Sequence, residues 1–197
     1  MNIFNLHNQS SPKENTAYIF DSNIWLPILG IDSELLSDHY KIFFSKVFKT
    51  DGAIILICPI QLSEILNRLL RYYARVAYDK KYKHLTGNKP DANGFYKDEY
   101  RSSSDFRAKY AEIMDDIDQY STHIKICDVA LMSLETLTSF ESQSLDFNDH
   151  YLFLLAKEHD AVIITHDGDF HDLSVQVGTC NLKLYKKHTD SIKPKLK

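Results

Sequence analysis

The chain is poor in cysteine, in excess positive charge and in long apolar runs, and each shortage excludes something. Its three cysteines, Cys58, Cys127 and Cys180, are odd in number and far apart. They form neither a disulfide framework nor the paired-ligand pattern of a zinc site, and they fit a reducing cytoplasm. The formal net charge is -4. A chain with that balance has no global attraction to a polyanion, so any nucleic-acid binding must use a local patch. No uncharged apolar stretch is long enough to cross a bilayer. The first residues, Met-Asn-Ile-Phe-Asn-Leu-His-Asn, lack the basic-then-apolar order of a secretory signal. Internal repeats and heptad runs are missing as well.

What is present is the material of one domain with a core. The chain has 197 residues, 44% of them apolar and 12% aromatic. Three short apolar runs, 17–21, 53–58 and 161–165, read as buried strands because few polar residues interrupt them. Helical spacing lies between them. One helix, capped by Asp32 or Ser33, runs to about Lys49. Another begins at Pro59, where a missing N–H is tolerated, and continues towards Tyr78. A third resumes at Phe106. A strand at 123–127, helices near 129–138 and 147–159, and a last strand near Leu182–Tyr185 complete the pattern. Residues 1–15 read as a loose leader, 16–188 as the domain and 189–197 as a basic tail. The stretch 83–105 contains Thr-Gly-Asn-Lys-Pro-Asp-Ala-Asn-Gly, which reads as turns and not core, and is expected as a helical or loop insertion. Strands separated by helices predict an α/β protein with a mostly parallel sheet and right-handed crossovers.

Four acids fall where such a sheet would gather them. Asp21 ends the first strand, Glu64 opens the helix after the second, Asp149 lies in the first turn of the helix beginning near Asp146, and Asp167 follows the strand 161–165. Strand carboxyl ends and helix starts share one edge of an open sheet, which is where ligands bind. Each acid has an ordinary alternative. Asp21 and Asp167 suit turns, Glu64 suits a helix dipole, and Asp146 with Asp149 suits a helix cap. Jointly these alternatives require a coincidence at four successive positions. Four carboxylates at one point repel unless a cation sits among them. Asp169 is a further, outer ligand candidate. Ser22, Asn23 and Thr165 are placed to orient the acids or to bind substrate. His150 and His166 flank them and read as surface-loop histidines.

The motifs Phe-Asp-Ser-Asn, Ser-Glu-Ile-Leu-Asn-Arg, Asp-His-Tyr-Leu-Phe-Leu-Leu-Ala and Ile-Thr-His-Asp-Gly-Asp-Phe, in this order, resemble those of the PIN-domain nucleases. The resemblance covers about residues 17–187. It implies a Rossmann-like three-layer α/β/α fold, dependence on Mg²⁺ or Mn²⁺, and cleavage of RNA. It also implies that the protein is either a toxin with an antitoxin partner or an RNA-processing enzyme. The insertion makes this chain longer than the compact toxins, which weighs against the toxin reading.

The expected chemistry is metal-assisted phosphodiester hydrolysis by Asp21, Glu64, Asp149 and Asp167, with one or two divalent ions. Arg68, Arg71 and Arg75, at helical spacing after Glu64, are expected to grip the phosphates, and neighbouring tyrosines offer stacking surfaces. The insertion could cover substrate or mediate a homodimer. Two rival readings remain. A haloacid-dehalogenase-like phosphatase would need a second Asp two residues after the first, where Asn23 stands. A catalytically inert PIN-like module would bind RNA or protein without turnover.

Overall fold

The three apolar runs become the centre of one parallel sheet. The computed structural model describes residues 3–8, 11–31, 38–87, 89–129, 133–140, 142, 144–171 and 173–186. Its strands are β1 (Ile3–Asn5), β2 (Ala17–Phe20), β3 (Ile54–Ile57), β4 (Ile124–Ile126), β5 (Val162–Ile164) and β6 (Val177–Thr179). They lie in the order β1-β6-β5-β2-β3-β4, with every pairing parallel. The helices are α1 (Ser22–Ile28), α2 (His39–Val47), α3 (Pro59–Tyr82), α4 (Ala92–Asp98), α5 (Ser104–Asp118), α6 (Leu134–Thr138) and α7 (Phe147–Glu158).

Both faces of the sheet are apolar, because successive side chains of a strand point to opposite sides. Tyr18, Phe20, Ile55, Ile57, Val162 and Ile164 pack with Trp25, Phe43, Phe44, Ile65 and Leu69 of α1, α2 and α3. Ile19, Leu56 and Ile163 face the other way, onto Leu152, Leu155 and Ala156 of α7. The result is the expected α/β architecture, with a helical layer on each side of an all-parallel sheet.

The chain order locates a binding edge. From β2 it moves outward to β3 and β4 through helices on the first face. It then returns by α6 and α7 on the second face to β5, on the opposite side of β2. The direction of winding therefore reverses between β2 and β5. In such sheets the crevice beyond the strand ends opens at this reversal. Asp21 and Thr165 are the residues that follow β2 and β5.

Several expectations are corrected. The leader is not wholly loose, since Ile3–Asn5 pairs with Val177–Thr179 at the sheet edge. Phe4 lies against Gly178, where a Cβ would meet the Phe4 ring at 2.7 Å, so the strand depends on that missing side chain. Three residues were too few to show a period. The last strand is Val177–Thr179, and residues 182–186 are helical. Asn181 Oδ1 accepts the N–H groups of Lys183 and Leu184, a local cap that overrides the strand-like alternation there. The short helix α1 was not anticipated. The proposed caps Asp32 and Ser33 and the basic tail 189–197 lie outside the described residues.

The insertion, expected as a helical or loop excursion, is folded and carries α4. Asp91 caps α4 by accepting from the N–H groups of Asn93 and Gly94. Phe95, Tyr96 and Tyr100 are buried against Ala74, Tyr78 and Tyr82 of α3, an aromatic cluster separate from the two cores on the sheet. Tyr78 donates to the carbonyl of Pro90 at 2.8 Å, and Tyr82 donates to Glu99 at 2.9 Å. Turn residues at the start of the stretch hid an apolar set that only α3 completes.

This separation is testable. Phe95→Ala should weaken the satellite cluster by about 3 kcal/mol, the usual scale for a buried Phe→Ala change. Amide exchange should then quicken across 92–102 while the amides of β2, β3 and β5 keep their protection. Equal quickening in the sheet would show that the insertion is not a separate unit.

Candidate functional site

Asp21 is the innermost of the acids, only 7% exposed. Its N–H extends the sheet by donating to Ile164 at 2.9 Å, and its carbonyl accepts from Ile24 to start α1. The carboxylate is therefore fixed at the strand–helix junction. Thr165 donates its hydroxyl to Asp21 Oδ2 at 2.6 Å, and the Asn23 amide donates to the same oxygen at 2.7 Å. Both side-chain donors go to Oδ2, and the backbone N–H of Asn23 also faces the carboxylate.

Thr165 ties Asp21 to the next acid. Its hydroxyl also accepts from the N–H of Asp167 at 2.8 Å. The turn is held from behind by two residues that sequence reasoning missed. Tyr40 donates to the Thr165 carbonyl at 3.0 Å and lies 3.0 Å from His166 Nδ1, while accepting from the N–H of Cys180 at 2.7 Å. Asn181 donates to the His166 carbonyl at 2.7 Å. Tyr40 reads in the sequence as one more apolar residue of an amphipathic helix, and nothing nearby signals the role of its hydroxyl.

Glu64 stands in the second turn of α3, not the first, because Pro59 begins the helix. The helix start is docked to the site by Gln61, whose amide donates to the Phe20 carbonyl. Glu64 is well partnered. Its Oε1 lies 2.6 Å from Arg68, and its Oε2 accepts from Ser22 at 3.0 Å and from Asn148 at 3.3 Å. Asn148 was also missed, although it adjoins Asp149 in the Asp-Phe-Asn-Asp motif.

Asp149 occupies the first turn of α7, its N–H donated to the capping Asp146 at 2.9 Å. Its carboxylate has no side-chain donor among the described residues, and the backbone N–H of Asp146 holds its rise back. Asp169 is exposed, and what it gives the site is its N–H, donated to Asp167 Oδ1 at 2.9 Å.

The electrostatics bring the acids together. Burial pushes Asp21 up to about 6; the Thr165 hydrogen bond opposes the rise, and the charges of Asp167 and Glu64 add to it. Burial likewise pushes Asp149 up to about 8, with repulsion from Asp21, Asp146 and Asp167 behind it. Asp21 thus feels Glu64 and Asp167, and Asp149 feels Asp21 and Asp167, across the β2–β5 edge. Even so, among the described residues no group of three or more acids, histidines or cysteines is gathered into a ready coordination shell. Arg68 draws one oxygen of Glu64 aside, and Thr165 with Asn23 holds one oxygen of Asp21.

The donor set suits a hard divalent cation. It comprises carboxylate oxygens of Asp21 and Asp149, together with the buried, unpartnered Oδ1 of Asn23. Mg²⁺ and Mn²⁺ prefer such oxygens, a few of them from protein. Neutral His or thiolate ligands are not offered: His150 is buried against Phe140 and bonds the Thr136 carbonyl, so it is no surface-loop histidine. Burial favours the neutral ring of His166.

The arginines divide. Arg68 and Arg71 line a cleft of about 570 Å³ beside Glu64 and Asn148. Arg75 does not reach it. It pairs with Asp79 at 3.2 Å, roughly 16 Å further along the helix axis than Glu64. Compared with known protein families, curated proteins and solved structures, the chain finds no match.

The acid cluster makes a signed prediction. Between its ordinary value near 3.8 and about 8, the folded chain keeps a proton on Asp149 that the unfolded chain has released. The contribution of Asp149 to metal-free stability therefore falls as pH rises through that window. His166, with its lowered value, acts in the opposite sense, so a difference between two proteins is the clean observable. In EDTA, Asp149→Asn should raise the melting temperature relative to the parent chain, and by more at pH 8 than at pH 5. An equal gain at both values would remove the repulsion argument.

Proposed function

We propose that the chain is a PIN-like, divalent-metal-dependent ribonuclease. The observation that supports this reading is the electrostatic coupling of Asp21 to Glu64, Asp149 and Asp167 at the reversal of the sheet. Two of these acids are raised by burial and by the charge of the others. Unpaired acids in such a place destabilise the fold unless a cation uses them. The order and spacing of the acids, and their resemblance to the PIN nucleases, add the reaction class.

Asp21, Asp149 and Asp167 would hold the ion, with Glu64 at the flank. When bound, a divalent ion supplies a Lewis acid for a phosphoryl oxygen and makes a water easier to deprotonate. The remaining work belongs to the side chains. Thr165 and Asn23 orient Asp21 through one oxygen. Ser22 and Asn148 fix Glu64, and Arg68 sits where it can exchange the carboxylate for a phosphate. Burial of the strand ends keeps the acids in a low-dielectric setting, where charge stabilisation counts for more than in water.

Asp21→Asn and Asp167→Asn should each lower the rate of Mg²⁺- or Mn²⁺-dependent cleavage of a labelled single-stranded RNA at least 100-fold. That corresponds to about 2.7 kcal/mol of transition-state stabilisation. Near-parental rates in either variant would end the assignment.

One observation favours a second reading. The Arg68–Glu64 ion pair at 2.6 Å neutralises one acid internally, as an inert binding module would. Calorimetry with Mn²⁺ separates the two readings: the nuclease takes up the ion at a site that Asp21→Asn weakens, and an inert module does not. The phosphatase reading lacks its second acid, since the amide of Asn23 at that position is bound to Asp21. Whether an antitoxin or a second copy of the chain binds belongs with the biological role, toxin or RNA processing, and the site geometry favours neither.

A further inference from the structure

We propose that two adjoining clefts form one groove that takes an unpaired nucleic-acid strand to the acidic site, with the folded insertion as its far wall. The first cleft, about 570 Å³, opens beside Glu64, Arg68 and Asn148. The second, about 430 Å³, lies between α3 and the insertion, against Tyr96, Arg101, Phe106 and Tyr110. Pro59, Ser63, Asn67 and Arg71 line both, so the clefts are continuous across α3.

The charge of the groove differs from that of the chain. Glu64 is the one acid among the described lining residues, and Arg68 neutralises it. Arg71 and Arg101 are left in excess, and among the described residues neither has an ion pair. The Arg71 guanidinium lies 4.7 Å from the centre of the Tyr96 ring, and its bond to Asn93 is long at 3.4 Å. Stacking thus positions the fork while most of its donors stay open for a phosphate. The net charge of -4 gives no general attraction, so this positive excess is local.

Aromatic surface completes the groove. Tyr110 is 44% exposed and Phe106 is partly buried beside it. Bases of an unpaired strand can stack on such rings, whereas bases inside a duplex cannot. An acidic peptide would use the arginines but gain little from the rings. A cleft of about 710 Å³ further along α3 is a poorer candidate, because its Lys81 pairs with Glu99 and its Lys109 with Glu112. The inference rests on the nuclease reading for its direction, towards the acids, but its residues are different ones.

The test is fluorescence anisotropy of labelled 12-nucleotide oligo-U, oligo-dT and an RNA duplex of equal length, with the full chain in EDTA. Either single strand should bind at least tenfold tighter than the duplex, and the tighter of the two identifies the sugar. Arg71→Ala with Arg101→Ala should lower the slope of log affinity against log salt by about 1.4, at ~0.7 per single-strand phosphate. Tyr110→Ala should weaken binding about tenfold, within the range for one stacked base. Arg101→Ala alone disturbs no ion pair and keeps the test valid if the double variant unfolds. Lys80→Ala, at the other cleft, should leave the slope unchanged. An unchanged slope in the arginine variants, equal binding of the duplex, or equal competition by oligo-glutamate overturns the groove. Metal-dependent cleavage combined with binding that ignores the arginines sinks the groove alone. Groove-dependent binding without cleavage sinks the nuclease reading alone.

Discussion

A carboxylate almost out of water at the end of the central strand governs the rest of the arrangement. Asp21 cannot move, because its N–H belongs to the sheet and its carbonyl to α1. Burial of the charge is costly unless donors face it. Thr165, from the neighbouring strand, and Asn23, from the helix it starts, provide those donors on one oxygen. Thr165 must therefore hold one position, and Tyr40 and Asn181 hold it there from behind. Burial first, and the charge of the adjacent acids after it, raise Asp21 and Asp149 together.

The site has two electrostatic halves. Glu64 is neutralised and fully bonded by Arg68, Ser22 and Asn148. The aspartates form the other half. A cation would stabilise the second half without displacing a protein donor, whereas recruiting Glu64 would require Arg68 to let go. Proton uptake by Asp149 lets the fold tolerate the cluster when no cation is bound.

The 24-residue helix α3 joins this site to the insertion. Its first turns carry Gln61 and Glu64 to the strand ends, and its later turns carry Ala74, Tyr78 and Tyr82 into the aromatic cluster with α4. The face between them carries Arg68 and Arg71 along the groove. A helix that spans both regions fixes the distance from the acids to the aromatic cluster of the insertion.

Much of the fold was legible. Apolar runs marked β2, β3 and β5 because buried parallel strands need both faces apolar. Pro59 and Asp146 marked the starts of α3 and α7 because caps act between close neighbours in sequence. The same locality misled at two places. The alternation in 182–185 resembled a strand until the Asn181 cap made it helical, and turn residues at 84–94 concealed a cluster whose other half lies on α3. Period, caps and the chain positions of the acids were therefore set by the sequence alone, since they depend on residues a few places apart. The tertiary structure decided that Arg68 would cover Glu64, that Arg75 would turn away to Asp79, and that the hydroxyl of Tyr40 would reach the turn at Thr165. Those outcomes depend on which distant atoms are packed side by side and how much water is shut out between them, and no local pattern encodes either.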